Sequence, residues 1–257
     1  MLILVADILG ESLTSADIIE QVNTNSLLHY LGIKEQNFFY PQVMFTATDY
    51  TCSAGDGTVY YLHGSWDWNA ATTAATGTTV INSDVAYEVT VEAERNAGSA
   101  ANCARAFIPS DTSGLTSSAA ISATTFNWFI TTINAVTQFT QLSIVSSTQA
   151  SGTTLATTDY SLVGSTTFCD KLISALTDDT NNVFTLNATG IAAISKTSYT
   201  KMAVRSDADL TNTFTPAGAS DGVVNGYGSS HATGKPYYAI TYTVGGGGGN
   251  FAYYLDI

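Results

Sequence analysis

From residue 43 to residue 244 the chain is a succession of short β-prone runs, at 43–48, 58–62, 78–81, 87–93, 104–108, 119–133, 138–146, 183–186, 199–205, 223–226 and 237–244, punctuated by Gly, Asn, Asp and Ser. About ten strands at this spacing predict an antiparallel, jelly-roll-like β-sandwich rather than a βαβ sheet. The all-β class also suits the composition, because Thr is about 15% of the 257 residues and only four are Pro, and Thr favours pleated strands over helices. One run alternates cleanly: Tyr87, Val89, Val91 and Ala93 are expected on a buried face, with Glu88, Thr90, Glu92 and Glu94 on a wet one. The best interior candidates for a helical turn are 187–195 and then 168–176. From the alternation and order of the runs, Phe107, Ile121, Phe126, Trp128, Leu186, Met202, Val204 and Ile240 are expected in the core.

The two ends differ from this body. Residues 1–41 concentrate Leu and Ile, and Leu27, Leu28, Leu31, Ile33, Phe38 and Phe39 are too much apolar surface to leave in water. This segment reads as an N-terminal attachment segment packing on another subunit, with residues 42–244 as the sandwich domain. Five consecutive glycines, 245–249, then form a hinge before an apolar last strand ending at Ile257. Residues 1–9 are apolar but lack a basic flank and meet Asp7 and Glu11, so they read as neither a signal peptide nor a membrane span. Synthesis in a cytoplasm is the expectation. Twenty-one acids against eight Lys and Arg leave a net charge of −13, the wrong sign for a phosphate backbone or an anionic bilayer. Neither nucleic acid nor membrane insertion is expected.

Chemistry-bearing residues are sparse. The segment YYLHGSWDWN sets His63, Trp66 and Trp68 among small polar residues, where rings can stack on a sugar face or plug one end of the sandwich. Three widely spaced cysteines, Cys52, Cys103 and Cys169, suit neither a zinc knuckle nor a CxxC pair and read as free thiols, the alternative being a disulfide between two of them in an oxidising setting. His29, His63 and His231 have no metal partner at helical or hairpin spacing. Asp207 and Asp209, spaced as same-face strand neighbours, and the turn acids Asp111, Asp178 and Asp179 are the candidates for a structural calcium, against capping of backbone amides. No other cofactor is implied. Arg105 and Arg205 fall inside β-prone runs and must pair with acids or carbonyls. A GxSxG elbow is absent from the sequence, and no residue is assigned as a nucleophile; an enzyme is not expected.

From Asp56 to Val244 the order of pieces resembles a phage and metagenomic fibre-like β-sandwich family related to DNRLRE-type, carbohydrate-binding-module-like domains. The matching pieces are Asp56–Gly57 with Trp66 nearby, ARAFIPSDTSGLTSSAAISATTFNWFI, LATTDYSLVG, VFTLNATGIAAISKTSYTKMAVRSDADLTNT and the closing KPYYAITYTV. Ser110 stands where the family has Phe, while Tyr238 and Ile240 fill its two apolar closing positions. The resemblance implies a virion structural protein, a head decoration or fibre-like subunit at the virion surface, partnered by its own copies or by a major capsid or tail protein. The alternative it leaves open is a carbohydrate-binding adhesion module that meets host glycans through the aromatic loop.

Overall fold

The computed structural model describes residues 44–83, 88–98, 100–134, 138–216 and 218–244. The attachment segment 1–41, with its six assembly candidates Leu27, Leu28, Leu31, Ile33, Phe38 and Phe39, and the tail 245–257 lie outside the described residues. Within them the strands are β1 (Met44–Thr51), β2 (Gly57–His63), β3 (Thr79–Asn82), β4 (Glu88–Arg95), β5 (Ala101–Phe107), β6 (Ser110–Asp111) and β7 (Ala119–Asn134). They continue as β8 (Gln141–Ser147), β9 (Val163–Leu172), β10 (Thr180–Thr185), β11 (Tyr199–Thr200), β12 (Met202–Ser206), β13 (Ser220–Tyr227) and β14 (Tyr237–Val244). Every pairing between these strands is antiparallel. The all-β antiparallel class therefore holds.

Two strands bend the sheet. Asn127 of β7 pairs with Tyr237 of β14 and Val183 of β10, whereas Ile130 pairs with Gly226 of β13 and Thr180 of β10. A residue has two edges, so β14 and β13 lie end to end along one edge of β7 and β10 takes the other. β5 repeats the arrangement: Ala104 pairs with Tyr60 of β2 and Glu92 of β4, and Ala106 with Thr58 of β2 and Val204 of β12. A strand that changes neighbours partway along one edge carries the sheet around a corner. The order β1-β14-β7-β13-β4-β5-β12-β8-β9 is accordingly that of one sheet curled back over its own face.

The inner face holds a continuous core. Phe107, Phe126, Trp128, Leu186, Met202, Val204 and Ile240 are buried as the alternation predicts, and Ile121 is partly buried against them. Around Phe126 the rings of Tyr238, Phe184 and Trp128 lie at 5.1, 6.0 and 6.4 Å. Their polar ends are satisfied: Tyr238 donates to the Ile108 carbonyl at 2.9 Å and Trp128 Nε1 to that of Tyr227 at 3.1 Å. In β4, Val89, Val91 and Ala93 are fully buried, while Glu88, Glu92 and Glu94 are half-buried on the opposite face. Asp56, completely buried, receives the hydroxyls of Ser83 and Ser229 at 2.5 and 2.7 Å and the Ser229 amide at 2.6 Å. That cluster pins the start of β2 to the chain beyond β13.

Departures from the expected elements have local causes. Residues 168–176 are the end of β9 and a short 3-10 turn, Ile173–Ala175, because Phe168 and its neighbours are held by strand pairing with β8. The other helical candidate is α2 (Ala188–Ala192), started by Asn187, whose side chain accepts from the Gly190 amide. Two further helical turns, α1 (Trp68–Thr73) and α3 (Asp207–Thr211), begin at Asp67 and Ser206, which cap them in the same way. All three cysteines are free, Cys52 and Cys103 buried. Among the described residues no helix is long and apolar enough to cross a membrane.

Candidate functional site

The aromatic loop leaves β2 at His63 and enters α1 at Trp68. Asp67, the residue between the two tryptophans, fixes this turn by accepting the Ala70 amide at 2.8 Å, and the two indoles end with centroids 6.4 Å apart and planes 17° from parallel. They are not equivalent. Trp68 is 5% exposed, donates Nε1 to the Ala208 carbonyl at 3.2 Å and meets the edge of Phe214 at 4.9 Å. As a ligand platform Trp68 is corrected: the capped turn rotates it inward and it belongs to the core. Trp66 is half-buried, with Phe214 edge-on at 5.7 Å and the Arg95 guanidinium 5.1 Å from its ring centre. His63 turns away from this pair, stacking on Tyr61 at 6.3 Å and hydrogen-bonding the Ser65 carbonyl through Nδ1 at 2.8 Å.

Phe214 connects the loop to a depression of about 440 Å³ lined by Gln138, Thr213, Phe214, Thr215, Pro216, Gly218, Ala219 and Ser220, within the size range of small-ligand pockets. Arg95 donates Nη1 to the Pro216 carbonyl at 3.0 Å, and Gln138 donates to the Ser220 hydroxyl at 2.5 Å. The arrangement sets hydroxyls of the depression wall beside a half-buried ring and a guanidinium that touch that wall at Phe214 and Pro216. Such a set suits a polyhydroxylated ligand with an apolar face. Arg95, Phe214 and the 213–220 stretch are missed by sequence reasoning, since they lie about 30 and 150 residues from Trp66 and no local pattern links them.

The most perturbed titratable groups lie elsewhere. Arg105 of β5 and Arg205 of β12 both grip Asp209 of α3 in a fork: Asp209 Oδ1 accepts Nη2 of Arg105 at 2.7 Å and of Arg205 at 2.9 Å, and Oδ2 accepts their Nε atoms at 2.9 and 2.6 Å. Arg105 also donates to the Tyr160 and Thr72 carbonyls at 2.7 and 2.6 Å and lies 4.0 Å over the Tyr160 ring. Burial alone would raise the Asp209 carboxyl, but the two guanidiniums outweigh it and hold its pKa at about 2. Burial pushes the Cys103 thiol and the Tyr160 phenol upward. Perturbed groups of this kind often mark active sites. Here Asp209 is 2% exposed with both oxygens doubly occupied, so it cannot accept a proton from a substrate, and the cluster is a structural lock.

The calcium candidates are dispersed by the same geometry. Asp207 and Asp209 are on α3 rather than a strand; Asp209 is held by the arginines, and Asp207 accepts the Thr140 amide and hydroxyl at 3.1 and 2.7 Å. Asp111 accepts the Ser113 amide at 3.0 Å, closing a turn. Among the described residues no group of three or more His, Cys, Asp and Glu could hold a metal ion. A second ring stack escapes sequence reasoning as well: Phe129, Tyr227 and His231 lie face to face, with centroids 4.8 and 3.5 Å apart. Strand pairing of β7 with β13 and the turn after Tyr227 bring them together. Compared with protein-family models and with curated proteins, the chain has no match.

Proposed function

We propose that this chain is a virion structural protein, a head decoration or fibre-like subunit carried on the particle surface by its 1–41 segment. The observation that supports it most is that the described body has a continuous core of its own, with Trp128, Tyr160, Tyr238, Phe107 and Phe126 fully buried, in a chain whose sequence also carries a strongly apolar stretch at 27–39. The resemblance of residues 56–244 to fibre-like sandwiches supports the same reading. Burying those six apolar side chains at about 25 cal/mol per Å² contributes on the order of ten kcal/mol, enough for lasting attachment after association costs. Its partners on this reading are other copies of the chain or a major capsid or tail protein. The test deletes residues 1–40: a chain that keeps its β-sheet circular dichroism and cooperative melting but no longer joins its particle or oligomer supports the proposal. Retained assembly, or unfolding of the truncated chain, overturns it.

A second reading is favoured by the partly accessible Trp66 near a polar depression. In it the displayed module is also an adhesin that holds a glycan against the Trp66 ring. Trp66→Ala should then abolish retention of the full chain on a glycan surface at temperatures where circular dichroism shows the variant folded, with a modest fall in melting temperature because the ring packs against the core.

A further inference from the structure

We infer that the depression beside Trp66 selects a carboxylate-bearing glycan, a uronic or sialic acid residue, through Arg95; this rests on the glycan reading above and names its ligand class. Charge is scarce and unevenly spent in this protein. Of its three arginines, Arg105 and Arg205 are consumed by Asp209, and the two ion pairs found among the described residues both belong to that carboxylate. Arg95 is the third. It lies over the Trp66 ring and donates Nη1 to the Pro216 carbonyl, and a guanidinium carries five N–H donors.

Strand alternation places it. Arg95 continues the row of Val89, Val91 and Ala93 and lies directly opposite Ser220, a wall of the depression. Glu92, Glu94 and Asp221 occupy the alternate positions of the same two strands, so the acids leave through the other face of the sheet. The carboxylates on adjoining segments are engaged as acceptors, Asp67 by the Ala70 amide and Asp207 by Thr140. In a protein of net charge −13, a planar cation and a half-buried ring thus lie against two walls of the depression, Arg95 at Pro216 and Trp66 at Phe214. A carboxylate matches the guanidinium fork, and sugar hydroxyls match the Thr213 and Thr215 hydroxyls that line the depression.

The experiment measures binding of the full-length chain to two matched probe pairs: 3′-sialyllactose against lactose, and tetragalacturonate against its carboxyl-reduced form. The expected result is a preference of about tenfold or more for at least one carboxylated member, the ratio equivalent to ~1.4 kcal/mol. Added salt should weaken that preference. Arg95→Gln should remove the preference, Arg95→Lys should keep part of it, and Trp66→Ala should weaken both members of the pair alike. Equal binding of both members with loss on Trp66→Ala overturns the carboxylate assignment and leaves the glycan reading standing. Binding of none of the four probes overturns both. Should Arg95→Gln fail to fold, the wild-type comparison and Arg95→Lys decide, and an Arg95→Lys chain with a preference unchanged at every salt concentration counts against the assignment.

Discussion

Asp209 shows how much a single buried residue organises. Its two oxygens accept four N–H donors from Arg105 and Arg205, which sit on different strands. Removing one member of such a cluster costs far more than the cluster's net worth, because the remaining charges stay buried without compensation. Asp209→Asn, nearly isosteric, should therefore lower unfolding stability by about 3–5 kcal/mol, read as the shift in urea midpoint at constant slope. A loss below 1 kcal/mol would mean that the guanidiniums find other acceptors. That Arg105 and Arg205 need partners is legible in the sequence, since both fall in β-prone runs. That one aspartate serves both is not, because Arg105 reaches it across 104 residues.

At the scale of elements, β7 decides the shape. β13 crosses to it with a register shift at Asn225–Gly226, where the Trp128 indole lies so close that a Cβ on Gly226 would sit 2.3 Å from its Nε1. Glycine is required there for close approach. Gly226→Ala should destabilise the fold by about 1–3 kcal/mol, the usual cost of overpacking a core, and should weaken the near-ultraviolet circular dichroism of Trp128. Gly64→Ala is the control, as nothing lies within 4 Å of the added methyl, and its melting temperature should hold. The long β-prone run at 119–133 is plain in the sequence. Its exchange of partners from β14 to β13 follows from the fold around it, since each half of the run reads equally well as strand.

For the whole molecule the acidic composition has a calculable consequence. Asp209, at about 2 in the fold against an ordinary 3.8, contributes stability that is complete above pH 3.8 and lost as pH falls through about 2. The gap corresponds to about 2 kcal/mol. Glu92 has the opposite sign: burial first, then the charges of Glu94 and Asp221, raise it from 4.5 to about 8. The fold therefore favours its protonated form, and the stability associated with it is present below pH 4.5 and declines as pH climbs through about 8. Both shifts together place the maximum of unfolding stability between about pH 4 and 5. Denaturant titrations across pH 2–9 check this, and Glu92→Gln should flatten the alkaline decline while leaving the acid limb intact. An unchanged decline in that variant would assign it to the general repulsion of a chain with net charge −13.

The sequence by itself determined the all-β class, the position of most strands though not β6 or β9, the burial of Val89, Val91 and Ala93 in β4 though not that of Thr90, and seven of the eight expected core residues, because period-two alternation and turn residues are local properties. It also determined that Arg105 and Arg205 would be engaged. Tertiary structure alone decided which indole faces water, since Trp66 and Trp68 are separated only by the N-cap Asp67 and the cap's geometry turns one inward. It also brought Arg95 and Trp66 up to two walls of one depression, Pro216 and Phe214, and it gave Asp209 to two arginines. These outcomes depend on contacts between residues far apart in the chain, which follow from how the curled sheet closes and leave no mark on any local stretch of sequence.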